Sequence, residues 1–404
     1  MTEENGSKQA VPPSITGVLP SHGGSVLEHA FGHGDPYTLG VEEEYQLLDA
    51  ETFDLVQHIE TMLEAVSGHE LETRINAELM QSVLEIATPV CRTAGDVMGW
   101  LTTLRGYVAG IAREQSARVG SAGTHPFSLF ELQRITAKDR YRALIDQLQY
   151  VARRELIFGM HVHVAVDDPE KAIQVVNGLL PQLAPLLALS ASSPFWRGEP
   201  TGLASSRQMV FSAFPRSGPP PRFRDYADYA EVVGQLERSG CIADYTHIWW
   251  DIRLHPRLGT IEIRICDAVT RVEDAVAVAA YCQALVKQLS ERYDAGEEIP
   301  SYHRILTSEN KWLAARYGLE APVIDLASGR RNRIPIARLI RRTLAEIEPH
   351  ARELGSEREL EGISAILARG SSADRQLRVY NANRDIVEVA REIADASEAL
   401  PVPA

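Results

Sequence analysis

The sequence is poor in cysteine and lacks paired cysteine motifs. It has four cysteines in 404 residues, and none of them forms a CxxC pair: Cys91, Cys241, Cys266 and Cys282. This number is too low for a secreted domain that is held together by disulfides. We therefore predict reduced and mostly buried thiols in a cytoplasmic protein.

Long apolar runs are also absent. The most apolar stretch, 175–189, contains Asn177, Gln182 and two prolines, and it is shorter than the roughly 20 residues that a membrane helix needs. The chain begins MTEENGSKQA, with acidic residues where a signal peptide has basic ones. These features exclude a transmembrane protein and predict no export signal. Residues 1–34, rich in Gly, Ser, Pro and His, are predicted to form a flexible leader.

Positive charge is in deficit, since 41 Lys and Arg residues face 55 Asp and Glu residues, a net charge of −14. A chain this acidic lacks the basic surface that binds DNA or RNA. The motifs GxxxxGK[ST], GxGxxG and GxSxG do not occur. Their absence excludes a P-loop, a dinucleotide-binding fingerprint and the nucleophile elbow of a serine hydrolase. We therefore expect the protein to bind small molecules, and to bind neither nucleic acid nor a membrane.

The polarity pattern predicts strands and helices that do not alternate regularly. Strands are predicted at 37–48, 83–88, 118–122, 159–166, 249–254 and 260–265, the last two as a hairpin. Helices are predicted at 59–66, 94–114, 140–148, 169–190 and 226–238, and then at 271–293, 301–316, 333–349, 356–368 and 384–396. This order favours an α+β fold with a mainly antiparallel sheet that has one apolar face on helices and one polar face.

Charged and imidazole side chains share one face of several predicted strands, because residues i and i+2 of a strand point to the same side. Each set has an ordinary explanation by itself: a solvated carboxylate pair, structural histidines or a surface Glu–Arg pair. Together in one sheet they would crowd carboxylates that need a divalent cation, and oxygen-rich sites suit Mg²⁺ or Mn²⁺. The residues are Glu42, Glu44, Glu85, His161, His163, Glu262 and Arg264.

Seven segments in this order resemble the glutamate–cysteine ligase type 2 family, bacterial carboxylate–amine ligases of the glutamine-synthetase-like superfamily. They are GVEEEYQLLD (40–49), ELMQSVLEIATPVC (78–91), GTHPFS (123–128), FGMHVHVAV (158–166), SSRQMVFSAFPRSGPP (205–220), DIRLHPRLGTIEIRICD (251–267) and ENKWLAARYGL (309–319). The resemblance implies a curved, mainly antiparallel six-stranded sheet with flanking helices and a helical C-terminal region. It also implies one catalytic domain over 35–400, with 271–400 mostly helical.

The same resemblance implies a chemistry and roles for individual residues. The reaction would be ATP-dependent amide formation through an acyl phosphate, with glutamate as the default acid, cysteine or another amine as acceptor, and two or three Mg²⁺ ions. Family metal-ligand positions correspond to Glu42, Glu44, Glu78, Glu85, His161 and Glu262. Arg264 and Arg207 correspond to catalytic arginines at the phosphoryl group and the acyl phosphate or substrate carboxylate. His163, Lys311 and Arg316 are candidate nucleotide or anion contacts.

Two other functions remain open at this point. A Mg²⁺-dependent small-molecule phosphotransferase could use the same sheet and would release a stable phosphorylated product. A binding or regulatory protein with a degenerate site is the third hypothesis, against which the complete acidic and arginine set argues. The helical C-terminal third could supply a homodimer interface.

Overall fold

The computed structural model describes residues 27–328 and 332–400, and the strands assemble into one main sheet of seven strands and three two-stranded sheets. The main sheet has the order β10-β11-β5-β1-β3-β2, and β4 also pairs with β1. The strands are β1 (Leu39–Asp49), β2 (Ile75–Ala77), β3 (Val83–Ala87), β4 (Ala117–Gly120), β5 (Met160–Ala165), β6 (Phe195–Trp196), β7 (Glu199–Pro200), β8 (Ser217–Gly218), β9 (Trp249–Trp250), β10 (Ile252–His255), β11 (Thr260–Ile263), β12 (Pro322–Ile324) and β13 (Arg333–Pro335).

Every pairing in the main sheet is antiparallel, so the α+β class with an antiparallel sheet is confirmed. The count of six strands is not confirmed, because the sheet has seven. β2 was not predicted, since its three residues, Ile75–Ala77, are too few for an alternating pattern to be recognised. The predicted strand 249–254 is divided between β9 and β10.

Helices cover the apolar face of the sheet, and further helices pack on these. They are α1 (Ile59–Val66), α2 (Ala94–Glu114), α3 (Asp139–Leu148), α4 (Tyr150–Arg153), α5 (Pro169–Leu179), α6 (Leu183–Ser190), α7 (Arg207–Phe211), α8 (Tyr226–Arg238), α9 (Val272–Asp294), α10 (Arg304–Tyr317), α11 (Ile336–Glu353), α12 (Glu357–Leu360), α13 (Gly362–Arg369), α14 (Ser372–Asn383) and α15 (Ile386–Glu398). Helices α2, α5 and α9 pack against the sheet, and α9 is buried along most of its length. The main core therefore lies between the sheet and these three helices.

The predicted helix 169–190 is interrupted in the structure. Its two halves, α5 and α6, are separated by a 3₁₀ turn at Leu180–Gln182, where Pro181 lacks the N–H that would continue the helical hydrogen bonds. By length and composition this stretch could cross a membrane, with a mean hydropathy of 1.5, but 78% of it is buried inside the protein. It serves as a core element of the fold.

The C-terminal region is helical, as predicted, with one helix that the prediction omitted. Helix α14 (Ser372–Asn383) has the sequence SADRQLRVYNAN, which lacks a regular apolar face. Its buried side chains are mostly small or polar: Ser372, Ala373 and Gln376. A capping box between Ser371 and Asp374 defines its first turn.

The predicted leader lies mostly outside the described residues. Its described part, 27–34, contacts the body: Phe31 is buried in the main core, and Ala30 N donates to Pro256 O at 2.9 Å. The four cysteines are free, and three of them are buried, in agreement with the prediction of unpaired thiols.

Candidate active site

The polar face of the sheet forms the floor of a cleft of about 340 Å³. Nine of the predicted site residues line this cleft, although they are spread over more than 220 positions of the chain: Glu42, Glu44, Glu78, Glu85, His161, His163, Arg207, Glu262 and Arg264. The structure thus brings the seven residues that strand alternation placed on one face into the same cleft, together with Glu78 and Arg207. Their individual roles in catalysis are predictions.

Strand register brings these residues together in cross-strand pairs. Glu44 lies opposite Glu85 across β1 and β3. On the other side of β1, Glu42 lies opposite His161, and β11 places Glu262 opposite His163. Because directly opposed Cβ atoms in an antiparallel pair are about 4.5–5.5 Å apart, the strands themselves impose the crowding.

The first carboxylate group consists of Glu44, Glu78 and Glu85, each of which offers one oxygen within 4.8 Å of the others. Burial, followed by the charge of Glu78, raises the pKa of Glu44 to about 7. Burial also raises the pKa of Glu78, and burial with three neighbouring carboxylates raises the pKa of Glu85 well above its usual value. Without a cation, burial and mutual repulsion thus favour the protonated forms of these three carboxylates.

The second group consists of Glu42, His163 and Glu262, again with ligand atoms within 4.8 Å of one another. Burial opposes ionisation of Glu42, but His161 and His163 outweigh it and lower its pKa. Burial likewise opposes ionisation of Glu262, and Arg253 with Arg264 holds the pKa of Glu262 well below its usual range. These two carboxylates are therefore ionised at neutral pH, whereas the pKa values of the first group are shifted in the opposite direction.

His163 has a free nitrogen at this second group. Its Nδ1 lies 3.0 Å from Thr260 Oγ1, and its Nε2 is 3.6 Å from Glu42 and 4.0 Å from Glu262. The Nε2 atom is buried without a hydrogen-bond partner. One imidazole nitrogen is thus held by a hydrogen bond, while the other faces two carboxylates in a position open to a cation. His163, predicted as a nucleotide or substrate contact, thus lies where a cation ligand would be.

His161, predicted as a metal ligand, has a different environment. Its Nδ1 lies 3.1 Å from Glu42 Oε2. Burial and the charge of Arg264 lower the pKa of His161 to about 4, so the imidazole is neutral. It does not belong to either group of potential ligands among the described residues. Its position is that of a partner which orients the Glu42 carboxylate.

Two arginines extend over the same cleft from outside the strands. Arg264 follows β11 and forms an ion pair with Glu262, whereas Arg207 begins the short helix α7 and is 3% exposed. The terminal nitrogens of Arg207 donate to the carbonyl oxygens of Ile265 at 3.3 Å and of Arg264 at 3.4 Å. The Nε atoms of both arginines are buried without partners. These unused donors are suited to an anion.

Buried hydroxyls support the segment that carries Arg207. Asp267 accepts hydrogen bonds from Ser193 Oγ at 2.7 Å and from Ser205 Oγ at 2.8 Å, and its carboxylate lies 4.0 Å from Arg207 Nη1. Gly123 leaves the room for this carboxylate, because a Cβ there would lie 2.6 Å from Asp267 Cγ. This arrangement holds the α7 segment against the end of β11.

The structure does not bring Lys311 and Arg316 to the cleft. Lys311 Nζ donates to both carboxylate oxygens of Asp251 at 2.7 Å. Arg316 donates to Gly202 O and lies over the ring of Tyr317, 4.7 Å from its centroid. Both cations on α10 are therefore engaged in contacts that connect this helix to neighbouring segments.

Other cleft residues were not singled out from the sequence. Arg253 lies opposite Glu262 across the β10–β11 hairpin, and its Nε and Nη2 are both 2.7 Å from the Glu262 carboxylate. The alternation of Arg253 and His255 on β10 was a signal that could have identified them, since both share the polar face. Glu155, whose pKa burial raises to about 8, lies in an irregular segment without a comparable pattern. Several other lining residues that were not singled out lie on helix α3, in the 3₁₀ turn before β9 and on β9 itself: Arg140, Tyr141, Thr246, His247 and Trp249.

The donor set fits divalent cations that prefer oxygen. Five carboxylates and one open imidazole nitrogen supply ligands, and no cysteine lines the cleft within the described part of the chain. Such a set suits Mg²⁺ or Mn²⁺ better than zinc. The unpartnered Nε2 of His163 and the raised pKa values of Glu44, Glu78 and Glu85 are both consistent with sites that a cation would complete.

The fold is shared with a solved structure of an enzyme. The crystal structure of glutamate–cysteine ligase from Francisella tularensis in complex with AMP matches with a TM-score of 0.64, covering 91% of this chain and 90% of the other at 13% identity. At this identity the likeness concerns the fold alone. The chain therefore has the fold of this glutamate–cysteine ligase structure.

The family follows from the sequence itself. The family model "Glutamate-cysteine ligase family 2 (GCS2)" matches residues 38–395, and the chain belongs to this family. The protein "Putative glutamate--cysteine ligase 2-1" of Rubrobacter xylanophilus is 46% identical over 353 residues, 87% of this chain and 93% of its own length. "Putative glutamate--cysteine ligase 2" of Sorangium cellulosum is 43% identical over 362 residues, 89% and 96% of the two chains. The chain is an ATP-dependent ligase.

Proposed function

We propose that the protein joins a carboxylate to an amine at the expense of ATP, through an acyl phosphate, with the γ-carboxylate of glutamate as acid and cysteine or another amine as acceptor. One observation carries this proposal. Two groups of potential cation ligands and two arginines with free donors line the same cleft. Transfer of a phosphoryl group requires positioning and neutralisation of charge more than a dedicated base.

The residues divide between cation binding and anion binding. Glu44, Glu78 and Glu85 would hold one Mg²⁺, and Glu42, His163 and Glu262 a second. Bound Mg²⁺ would supply neutralisation of the ATP phosphates. His161 would keep the carboxylate of Glu42 oriented.

The arginines would act on the reacting groups. Arg264 donates toward the transferring phosphoryl group, where negative charge accumulates between the attacking and leaving oxygens. Arg207 holds the substrate carboxylate, or the acyl phosphate that forms from it, through its unused Nε donor. In the first step a carboxylate oxygen bonds to the γ-phosphorus and ADP leaves. In the second step the amine nitrogen attacks the acyl carbon, phosphate leaves, and the nitrogen loses a proton.

Isotope transfer tests this sequence directly. With Mg²⁺, ATP, a panel of amines and glutamate labelled with ¹⁸O in its γ-carboxylate, we expect an amide and ADP in equal amounts. One ¹⁸O atom is expected in each phosphate released. A stable phosphorylated acid without amide would instead establish the phosphotransferase reaction, and phosphate without label would exclude the acyl phosphate.

Matched variants connect the reaction to the cleft. We expect Glu85→Gln and Arg264→Gln to lower kcat by at least about 100-fold, the loss typical when a preorganised charge in an active site is removed. Glu199→Gln, at an exposed position on β7, is the control and should retain full activity. Equal activity of all three variants, with folding verified by circular dichroism, would contradict the assignment.

A further inference from the structure

A second cavity, of about 250 Å³, lies apart from the cleft and shares no lining residue with it. It is formed where the loop after β11 meets the first turn of α9 and the junction of α13 with α14. Four arginines line it: Arg271, Arg369, Arg375 and Arg378. No part of the proposed ligase reaction uses this cavity.

Two of these arginines are paired with carboxylates. Arg369 forms an ion pair with Asp274 in the first turn of α9, and Arg375 forms one with Glu392 on α15. The Nη1 atom of Arg375 is nevertheless buried without a hydrogen-bond partner. A buried guanidinium N–H without an acceptor destabilises the folded protein. An anion in the cavity would accept this hydrogen bond and remove the penalty.

The other two arginines have no such partner among the described residues. Neither Arg271 nor Arg378 has a side-chain hydrogen bond or a carboxylate within 4.0 Å, although Glu392 lies within electrostatic range of both. Arg375 and Arg378 are three residues apart on α14, so they face the same side of the helix. Four arginines and a single carboxylate, Asp274, line the cavity, so its lining has an excess of positive charge.

An independent observation indicates that the cavity takes a ligand. Thr270 is 2% exposed, lines the cavity, and its Oγ1 has no hydrogen-bond partner. Its backbone is held in place, because Arg105 Nη1 donates to Thr270 O at 2.7 Å. The unpaired hydroxyl and the arginines therefore form a preorganised set of donors at the same cavity.

The lining also restricts the kind of anion. Apart from the arginines it consists of Thr270, Asp274, Gly370, Ser371 and Ser372, so the described lining has no aromatic or aliphatic side chain. A nucleotide base or an acyl chain would have nothing to pack against there. Guanidinium groups match tetrahedral phosphate with paired hydrogen bonds.

We propose that this cavity is a binding site for a phosphate group, either inorganic phosphate or the phosphate of a small polar ester, separate from the catalytic cleft. A phosphate anion would complement the excess positive charge of the lining. Thr270 Oγ1, Arg375 Nη1 and the two unpaired arginines supply the donors.

Hydrogen exchange measured by mass spectrometry resolves this site from the cleft, which also binds phosphates under the proposed function. The full-length protein is compared in chloride, in inorganic phosphate and in glycerol phosphate at equal ionic strength. Amide hydrogens in segments 268–274 and 368–378 exchange when the protein opens locally and releases the anion. When the anion concentration is about ten times its Kd, this exchange should slow about tenfold. Protection by both compounds indicates recognition of the phosphate group, and protection by inorganic phosphate alone indicates a site for the free ion.

Variants decide whether the arginines are responsible. The double variant Arg271→Gln, Arg378→Gln should lose the protection of both segments while any protection of cleft peptides persists. The control Arg338→Gln, Arg341→Gln removes the same charge from exposed positions on α11 and should behave as the wild type. If the double variant does not fold, Arg378→Gln alone, at an exposed position, serves the same purpose. Absence of phosphate-dependent protection in the wild type, or equal protection in the variant, would overturn the proposal.

Discussion

At the scale of single residues, consecutive glutamates on β1 have opposite environments. Glu42 and Glu44 line the cleft, whereas Glu43 points to the other face and is completely buried. Arg105 Nε donates to Glu43 Oε2 at 3.0 Å, and Tyr45 OH donates to the same oxygen. A charge in the core is thus satisfied by a dedicated partner, so the three acidic residues serve two purposes.

Removal of the buried arginine should be costly. We expect Arg105→Ala to lower the free energy of unfolding by about 3–5 kcal/mol, because it leaves Glu43 charged and unpaired in the core. Chemical denaturation with urea measures this change. Arg92→Ala is the control: its ion pair with Asp35 is 81% and 72% exposed, and its loss should cost at most about 1 kcal/mol. Similar losses for both variants would contradict this interpretation.

Protonation should control cation binding in the first carboxylate group. The pKa of Glu44 is raised to about 7, and the pKa values of Glu78 and Glu85 are also raised, so protons compete with a cation for these groups. Affinity for Mg²⁺ should therefore rise from pH 6 to pH 8, with proton release on binding. Isothermal titration calorimetry in buffers of different ionisation enthalpy measures both quantities.

A control variant tests the assignment to this group. Glu44→Gln removes one titrating ligand, so it should weaken Mg²⁺ binding and reduce the number of protons released. Affinity that does not change between pH 6 and pH 8 in the wild type would show that the group does not bind the cation.

At the scale of elements, a glycine next to strand β5 makes room for an arginine of helix α7. Gly159 immediately precedes β5, and a Cβ at this position would lie 2.5 Å from Arg207 Nη2 and 3.2 Å from His161 Nε2. Arg207 is buried and held by carbonyl oxygens at the end of β11. The absence of a side chain at residue 159 thus allows the arginine to approach the strand.

A methyl group at this junction should impair catalysis more than stability. We expect Gly159→Ala to displace the Arg207 guanidinium and lower kcat by about 10-fold to 100-fold, as small displacements of positioned groups do. The control is Gly40→Ala on β1, where the nearest atom, His163 Cβ, would be in ordinary contact at 3.6 Å. Steady-state kinetics and thermal melting are measured for both. Unchanged kcat in Gly159→Ala would exclude a precise role for this arginine.

At the scale of the whole molecule, the C-terminal helix closes the structure against the edge formed by β4. Arg118 on β4 pairs with Asp395 at 2.7 Å and with Glu398 at 2.9 Å. Ser121 N donates to Ser397 Oγ at 2.8 Å. The chain thus joins residues separated by more than 270 positions, so its last helix is part of the same folded unit as the sheet.

Loss of this helix should destabilise the entire protein. A chain that ends at Asn383 lacks α15 and with it the fully buried side chains of Val389 and Ile393. Because the apolar surface that these side chains cover becomes exposed to water, we expect the free energy of unfolding to fall by about 5 kcal/mol. Thermal melting and solubility measure the effect. Removal of residues 401–404 alone is the control and should change neither. Wild-type melting of the shorter chain would show that α15 is not required.

Local pattern predicted most of the elements and the content of the cleft, but not the segments that lack periodicity. The alternation in β1 and β5 predicted which side chains face the cleft, and the hairpin of β10 and β11 was also correct. Helix α14 escaped prediction because its buried positions are small or polar. Glu155 escaped it because irregular backbone has no repeat from which a facing direction can be inferred.

The sequence by itself determined that several carboxylates and two histidines share one face of the sheet. This followed from the excess of negative charge and from the two-residue alternation of the strands. The family resemblance added Glu78 and Arg207, and both line the cleft. Only the tertiary structure decided how the set divides, since strand order and register place His163 with Glu42 and Glu262, and leave Lys311 outside. The physical reason is that alternation is a local property of the backbone. Proximity between strands depends on hydrogen bonds formed across long separations in the chain.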